Sequence, residues 1–147
     1  MAILRERPYG NSNFLVDFGS GDAHALTAGF CEVVFPEFRI EPIDLNPALQ
    51  MPAAPARAEH ENYLLLKRGA IGTLDLYGWW NKARRGKAPK RRTLKIDLLS
   101  EDHATVVLTW RFFNVRPVAL AYSPLRANEG GILIETLSVA FERMEMQ

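Results

Sequence analysis

Cysteine, histidine and long apolar runs are scarce in this chain of 147 residues. The single cysteine, Cys31, excludes an intrachain disulfide and a cysteine-based zinc cluster. It lies between Phe30 and Glu32 in a strand-like stretch and reads as a small buried hydrophobe rather than a nucleophile. The three histidines, His24, His60 and His103, fall at turns or loop edges and show no metal-ligand spacing. The chain has no glycine-rich phosphate loop, no G-x-S-x-G elbow and no H-E-x-x-H helix. The adjacent acids Glu101 and Asp102 mark a turn better than a catalytic pair. No apolar run approaches the roughly 20 residues that cross a bilayer. Met1 to Pro8 lacks the apolar core of a signal peptide, so synthesis and assembly in the cytoplasm are expected. No catalytic, cofactor-binding or metal-binding residue is assigned, and no enzymatic activity is expected.

What is present is an ordinary globular composition, 48% apolar and 24% charged, with a net charge of +1. The length suits one domain, residues 1–147. Charge balance conceals an asymmetry. Lys82, Arg84, Arg85, Lys87, Lys90, Arg91, Arg92 and Lys95 form a run of eight cations without an acid. The rest of the chain carries ten basic and 17 acidic residues. Such a run suits a solvated helix end, an acidic protein partner, or the phosphates of a nucleic acid.

Alternation of apolar and polar residues predicts mostly strands. Residues 13–35 read as a hairpin about a Gly-Ser-Gly turn, with Phe14, Val16 and Phe18 on one face. Strands follow over 63–67, 92–99, 105–114 and 118–122, and one long strand over 132–146. The last has Leu133, Leu137, Val139 and Phe141 on one face. Its other face includes Ile132, Ile134 and Ala140, too apolar for open water and therefore a candidate contact between copies. One helix is predicted over about 73–85, capped by Thr73 and closed by Gly86, with Leu74, Tyr77 and the tryptophans as its apolar stripe. Residues 42–58 hold four prolines and predict an extended Pro/Ala-rich loop that orders on a neighbouring copy. The fold class is mainly β: two packed antiparallel sheets forming a small barrel or sandwich with one α-helix.

The order of these pieces resembles the tail tube proteins of contractile phage tails and phage-tail-like injection systems. The resemblance is carried by Phe14-x-Val16, Gly29-Phe30-x-Glu32-Val33 and Leu66-Lys67-Arg68-Gly69 before a helix with Trp80. It continues through Arg92-x-Leu94-x-Ile96-x-Leu98-Leu99, Thr109-Trp110, Asn114-Val115-Arg116-Pro117 and Ile134-Glu135-x-Leu137. It implies a relative of the type VI secretion ring protein, with hexameric rings stacked into a hollow inner tube inside a contractile sheath. It also implies baseplate and spike partners, effector cargo in the lumen, a phage-tail-like particle as destination, and no cofactor. The segment Val34-Phe35-Pro36-Glu37-Phe38 departs from the family's Ser-Gly-Leu and charged continuation. A baseplate tube-initiator or tube-end paralogue therefore stands beside the repeating subunit. A nucleic-acid-binding or anion-binding β-barrel is the further alternative.

Overall fold

The computed structural model describes residues 2–19, 29–40, 63–87 and 91–147. The Pro/Ala segment 42–58, the turn after β1, His24, His60 and Lys90 lie outside the described residues. Seven strands and one helix run in the order β1 (Phe14–Asp17), β2 (Glu32–Val34), β3 (Leu64–Gly69), α1 (Asp75–Arg84), β4 (Arg92–Leu99), β5 (Val106–Tyr122), β6 (Ile134–Ala140) and β7 (Arg143–Met146). All pairing is antiparallel along the path β1-β4-β5-β6-β3-β2, with β7 also on β5. Among the described residues the path stays open at β1 and β2, so the sandwich form of the expected fold applies.

Strand β5 decides the architecture. The sequence predicts two strands split near Pro117, yet one strand of 17 residues runs through. Its first part pairs with β4 and its last part with β6. Between them Asn114 takes φ 55°, and the ladder with β6 shifts register between Pro117 and Ala119. Proline lacks a ladder donor, and a register shift is a place where that costs little. The strand therefore bends instead of ending, and passes from one sheet layer to the other.

The predicted final strand breaks at Phe141 and Glu142 for the same reason. β6 follows the second half of β5, and β7 pairs Arg143–Met146 with Phe113–Trp110. Glu142 N–H donates to Phe113 C=O at 3.0 Å across the break. The predicted 13–35 hairpin does not form as a pair. β1 lies on β4 and β2 lies on β3, in different layers. Local alternation marked the strands correctly, but their partners are set by distant segments.

Both layers and the helix meet in one core. Val16, Leu94, Ile96, Phe112 and Val115 come from the first layer, and Leu64, Leu66, Leu137 and Val139 from the second. Leu76 and Trp79 of α1 complete it, with Trp79 edge-on to Phe18 at 5.0 Å. Helix α1 thus buries Trp79 of the predicted stripe together with Leu76, and leaves the rest of the stripe outward. Leu74 is 72% exposed and Tyr77 41%. Two apolar rows lie side by side on this helix, and the row that reaches Phe18 is the one taken inward. Thr73 does not cap it: Leu74 stands at the N-cap without a side-chain bond, and Thr73 Oγ1 bonds the Asp75 carboxylate at 2.7 Å. Gly86, at φ 72°, ends the helix as expected, its N–H reaching Ala83 C=O at 3.2 Å.

Cys31 is exposed, contrary to the expectation of burial. Phe30 takes the core position beside it, and Cys31 N–H donates to Lys67 C=O at 2.8 Å just ahead of β2. Phe35 and Phe38, both part-exposed, lie over the rings of Trp110, Phe112 and Phe141. Phe35 meets Trp110 at 5.0 Å, and Phe38 meets Phe141 at 6.2 Å.

The bend at Asn114 generates a prediction. Asn114→Val places a β-branched residue at positive φ and removes the bond from Asn114 Nδ2 to Glu142 at 2.7 Å. A loss of about 1–3 kcal/mol is expected in urea unfolding. An unchanged midpoint would show that the bend tolerates any residue.

Candidate functional site

Strand alternation puts Arg68 on the same face as Leu64 and Leu66, and Glu135 on the same face as Leu137 and Val139. Register then sets Arg68 opposite Glu135 across β3 and β6, both buried. The Arg68 side chain is 1% exposed. Its Nε donates to Glu135 Oε1, and its Nη2 donates to Asp75 Oδ1 at the first turn of α1. Nη1 reaches Asp75 Oδ2 at 3.2 Å, and Nη2 also reaches Thr73 Oγ1 at 3.0 Å. The guanidinium carbon lies 5.6 Å from the Phe30 ring centre. One planar cation thus ties two strands of the second layer to the start of the helix.

Electrostatics follow from this packing. Burial works to lower the Arg68 pKa, but the hydrogen bonds and charges of Asp75 and Glu135 outweigh it and raise it. Burial works to raise the Asp75 pKa, and bonds from Arg68 and Thr73 hold it below the ordinary value. Tyr122 is pushed up, first by burial of its hydroxyl and then by the Glu135 charge and hydrogen bond. Every polar partner in this cluster is already engaged in holding elements together. The arrangement ties β3, β6 and the start of α1 together.

Other candidate residues divide as follows. Glu101 pairs with Arg5 at 2.6 Å, and Asp102 accepts from Ser100 Oγ and from Ala104 N–H, so these acids build the β4–β5 turn. His103 sits in that turn at φ 61° and is exposed. Among the described residues no three of His, Cys, Asp and Glu are grouped to hold a metal ion. Ile134 and Ala140 are half-buried on the outer face of β6, away from Glu135, Leu137 and Val139. Ile132 precedes β6 and is 78% exposed.

The basic run does not act as one surface. Arg92 lies over Trp79, 4.7 Å from its centre, and over Phe18 at 5.6 Å. Arg91 pairs with Glu142 at 2.7 Å, and Lys95 lies 3.4 Å from Asp97. Lys82, Arg84, Arg85 and Lys87 are exposed at the carbonyl end of α1. Among the described residues, those four are the exposed part of the run that no acid pairs with.

The remaining features among the described residues are the sheet edges at β1, β7, β2 and the last part of β5, an outward row on β6 with Ile134 and Ala140, and a basic helix end. The model of a family described as T4-like virus tail tube protein gp19 matches residues 10–145. The chain belongs to the tail tube protein family. This family is one of structural proteins, and the match spans both sheet layers and the helix.

Solved structures agree in fold. A chain of an extracellular contractile injection system, the PVC sheath–tube complex in the extended state, has TM-score 0.73 at 18% identity, covering 97% of this chain and 93% of that one. A chain from the anti-feeding prophage cap, described as the AFP tube-terminating cap, has TM-score 0.74 at 18% identity, covering 100% and 95%. A type six secretion system protein has TM-score 0.54 at 11% identity, covering 92% and 83%. No curated protein matches by sequence. Among the described residues no helix of this tail tube protein is long and apolar enough to cross a membrane.

Arg68 and Glu135 both lie within segments that carry the family resemblance, but their pairing needs the register of β3 and β6. Arg68→Met leaves Glu135 buried without its counter-ion, and a loss of about 3–5 kcal/mol is expected in urea unfolding. Arg68→Met with Glu135→Leu is expected to recover most of that loss. Additive losses in the double variant would show that the two residues act separately. Asp75 has a folded-state pKa below its unfolded one, so its stabilisation is present above the unfolded pKa and is lost as pH falls through the folded one. Asp75→Asn is therefore expected to flatten the acid limb of stability below about pH 4. An acid limb identical to wild type would remove Asp75 from the account.

Proposed function

We propose that this chain is a structural subunit of the inner tube of a phage-tail-like contractile injection system. Six copies close a ring, rings stack into a hollow tube, and a contractile sheath surrounds it. The family match over residues 10–145 carries this reading. Physical support comes from the second layer, β2-β3-β6 and the last part of β5, which among the described residues has an unpaired edge at each side. Exposed edges are templates for pairing with another chain, and a contact between two different edges closes a ring when the rotation permits. The outer face of β6, with Ile134 and Ala140, and the neighbouring Ile132 stand beside these edges as the proposed contact between copies.

The protein acts without catalysis and without a cofactor in this reading. Its partners are copies of itself, the sheath, baseplate and spike proteins, and cargo carried in the lumen. It is assembled in the cytoplasm and ends in a particle. The exposed part of the basic run, Lys82, Arg84, Arg85 and Lys87, faces the sheath. Attraction between exposed charges is worth about 0–1 kcal/mol per pair, so binding comes from repetition along the tube and weakens with salt.

A second reading, a tube-end or baseplate member of the same family, is favoured by one observation. The departing segment Phe35–Phe38 packs against Trp110, Phe112 and Phe141 where the family resemblance expects a Ser-Gly-Leu and charged continuation.

Ile134→Lys puts a charge at the proposed contact between copies and is expected to shift the protein from rings to monomers in sedimentation velocity. Rings of unchanged stability would remove β6 from the interface. Arg84→Glu with Arg85→Glu is expected to leave bare rings intact and lower the fraction of sheathed particles in electron micrographs. Normal sheathing by that variant would limit these cations to solvation of the helix end.

A further inference from the structure

Among the described residues, helix α1 presents a second, outward row beside the one packed in the core. Leu74 and Tyr77 are exposed, and Trp80 is half-buried beside them with Tyr77 at 6.2 Å between ring centres. Positions 74, 77 and 80 follow one another along one side of the helix, and Arg84 extends the row. The Arg84 guanidinium lies 5.1 Å from the Trp80 ring centre and donates to Asn81 Oδ1 at 2.7 Å. Lys82, Arg85 and Lys87 flank the far end, and among the described residues no acid pairs with them. A helix carbonyl end carries only about half a negative charge, which four cations exceed.

We propose that this face is a docking ridge for an acidic protein segment that carries an apolar side chain beside its carboxylates. The carboxylates meet Lys82, Arg84, Arg85 and Lys87, and the apolar group covers Leu74 and Tyr77. Recognition chemistry is fixed by the ridge itself; only the identification of its occupant with a component of the particle rests on the tube reading. A phosphate backbone satisfies the cations equally well, but the aromatic surface favours protein. Trp79 is buried beneath Arg92, and Trp80 carries a guanidinium against its ring, which leaves Tyr77 as the exposed ring beside the aliphatic Leu74. Leu74, at 72% exposure, offers nothing to a phosphate and a good contact to an aliphatic side chain.

The two halves of the ridge differ in their response to salt. Charge pairing at its basic end is screened, whereas burial of Leu74 and Tyr77 is not. Binding is therefore expected to fall with salt to a plateau rather than to zero. Such a division suits a contact that must hold in one state and release in another.

The test is selection of binders from a random peptide library displayed on yeast, with the full chain as bait. Two variants accompany it: Leu74→Ser with Tyr77→Gln, and Arg84→Glu with Arg85→Glu. Leu74→Ser supplies a favourable N-cap, so the first variant keeps the helix. Enriched peptides are expected to combine Asp or Glu with an aliphatic or aromatic residue at helical spacing. Each variant is expected to weaken the selected peptides about tenfold or more, the size of an interface hot spot. Peptides selected without acids, without an apolar residue, or not at all would overturn the ridge. So would a single-stranded DNA oligonucleotide that binds more tightly and displaces the peptides. Sedimentation of the same samples separates this result from the tube reading. Rings without peptide binding remove the ridge alone, and peptide binding without rings removes the tube alone.

Discussion

The buried Arg68 guanidinium is the interaction on which the remaining structure depends. Taking a charge out of water costs several kcal/mol, and this cation repays it only by satisfying Glu135, Asp75 and Thr73 together. Net stabilisation from such a cluster is small. Its effect is geometric, because a one-residue slip of β3 against β6 turns Arg68 outward and strands Glu135 among Leu137 and Val139. Register of the second layer and the position of α1 are therefore set by the same atoms. Both the outer face of β6 and the ridge on α1 inherit their places from it.

The second constraint is the continuity of β5. A strand that bends at Pro117 shares its ladder between layers, with β6 and β7 following it as one interrupted partner. Among the described residues the edges, at β1, β7, β2 and the last part of β5, fall at the margins of the layers. Open edges and an outward apolar face suit a closed assembly better than a lone monomer.

Much of this was legible in the sequence. Strand alternation located β1, β3, β4 and the outward row of β6, and the turn at Gly86 fixed the end of α1. Those signals are local. What failed was non-local or depended on depth. The 13–35 hairpin needed knowledge that β4 and β3 compete for its two strands. The continuity of β5 was hidden because Pro117 reads as a stop, and only the register shift beside it permits passage. On α1 two apolar rows are adjacent, and sequence cannot weigh Trp79 against Tyr77 without Phe18 in place. The basic run showed its charges but not that Arg92 stacks on Trp79 and that Arg91 holds Glu142. Arg68 was visible as part of a motif, but the predicted strand ends at Lys67, so its inward place beside Leu64 and Leu66 was not.

The central claim is that the second layer is completed by its own copies. Amide hydrogen exchange tests it most directly, comparing assembled protein with monomer obtained by dilution. Within Glu32–Val34 and Val118–Tyr122, the amides that point away from β3 and β6 are predicted to slow markedly on assembly, while those of β4, already paired on both sides, change little. Edge amides that exchange equally fast in rings and monomers would contradict ring closure through this layer.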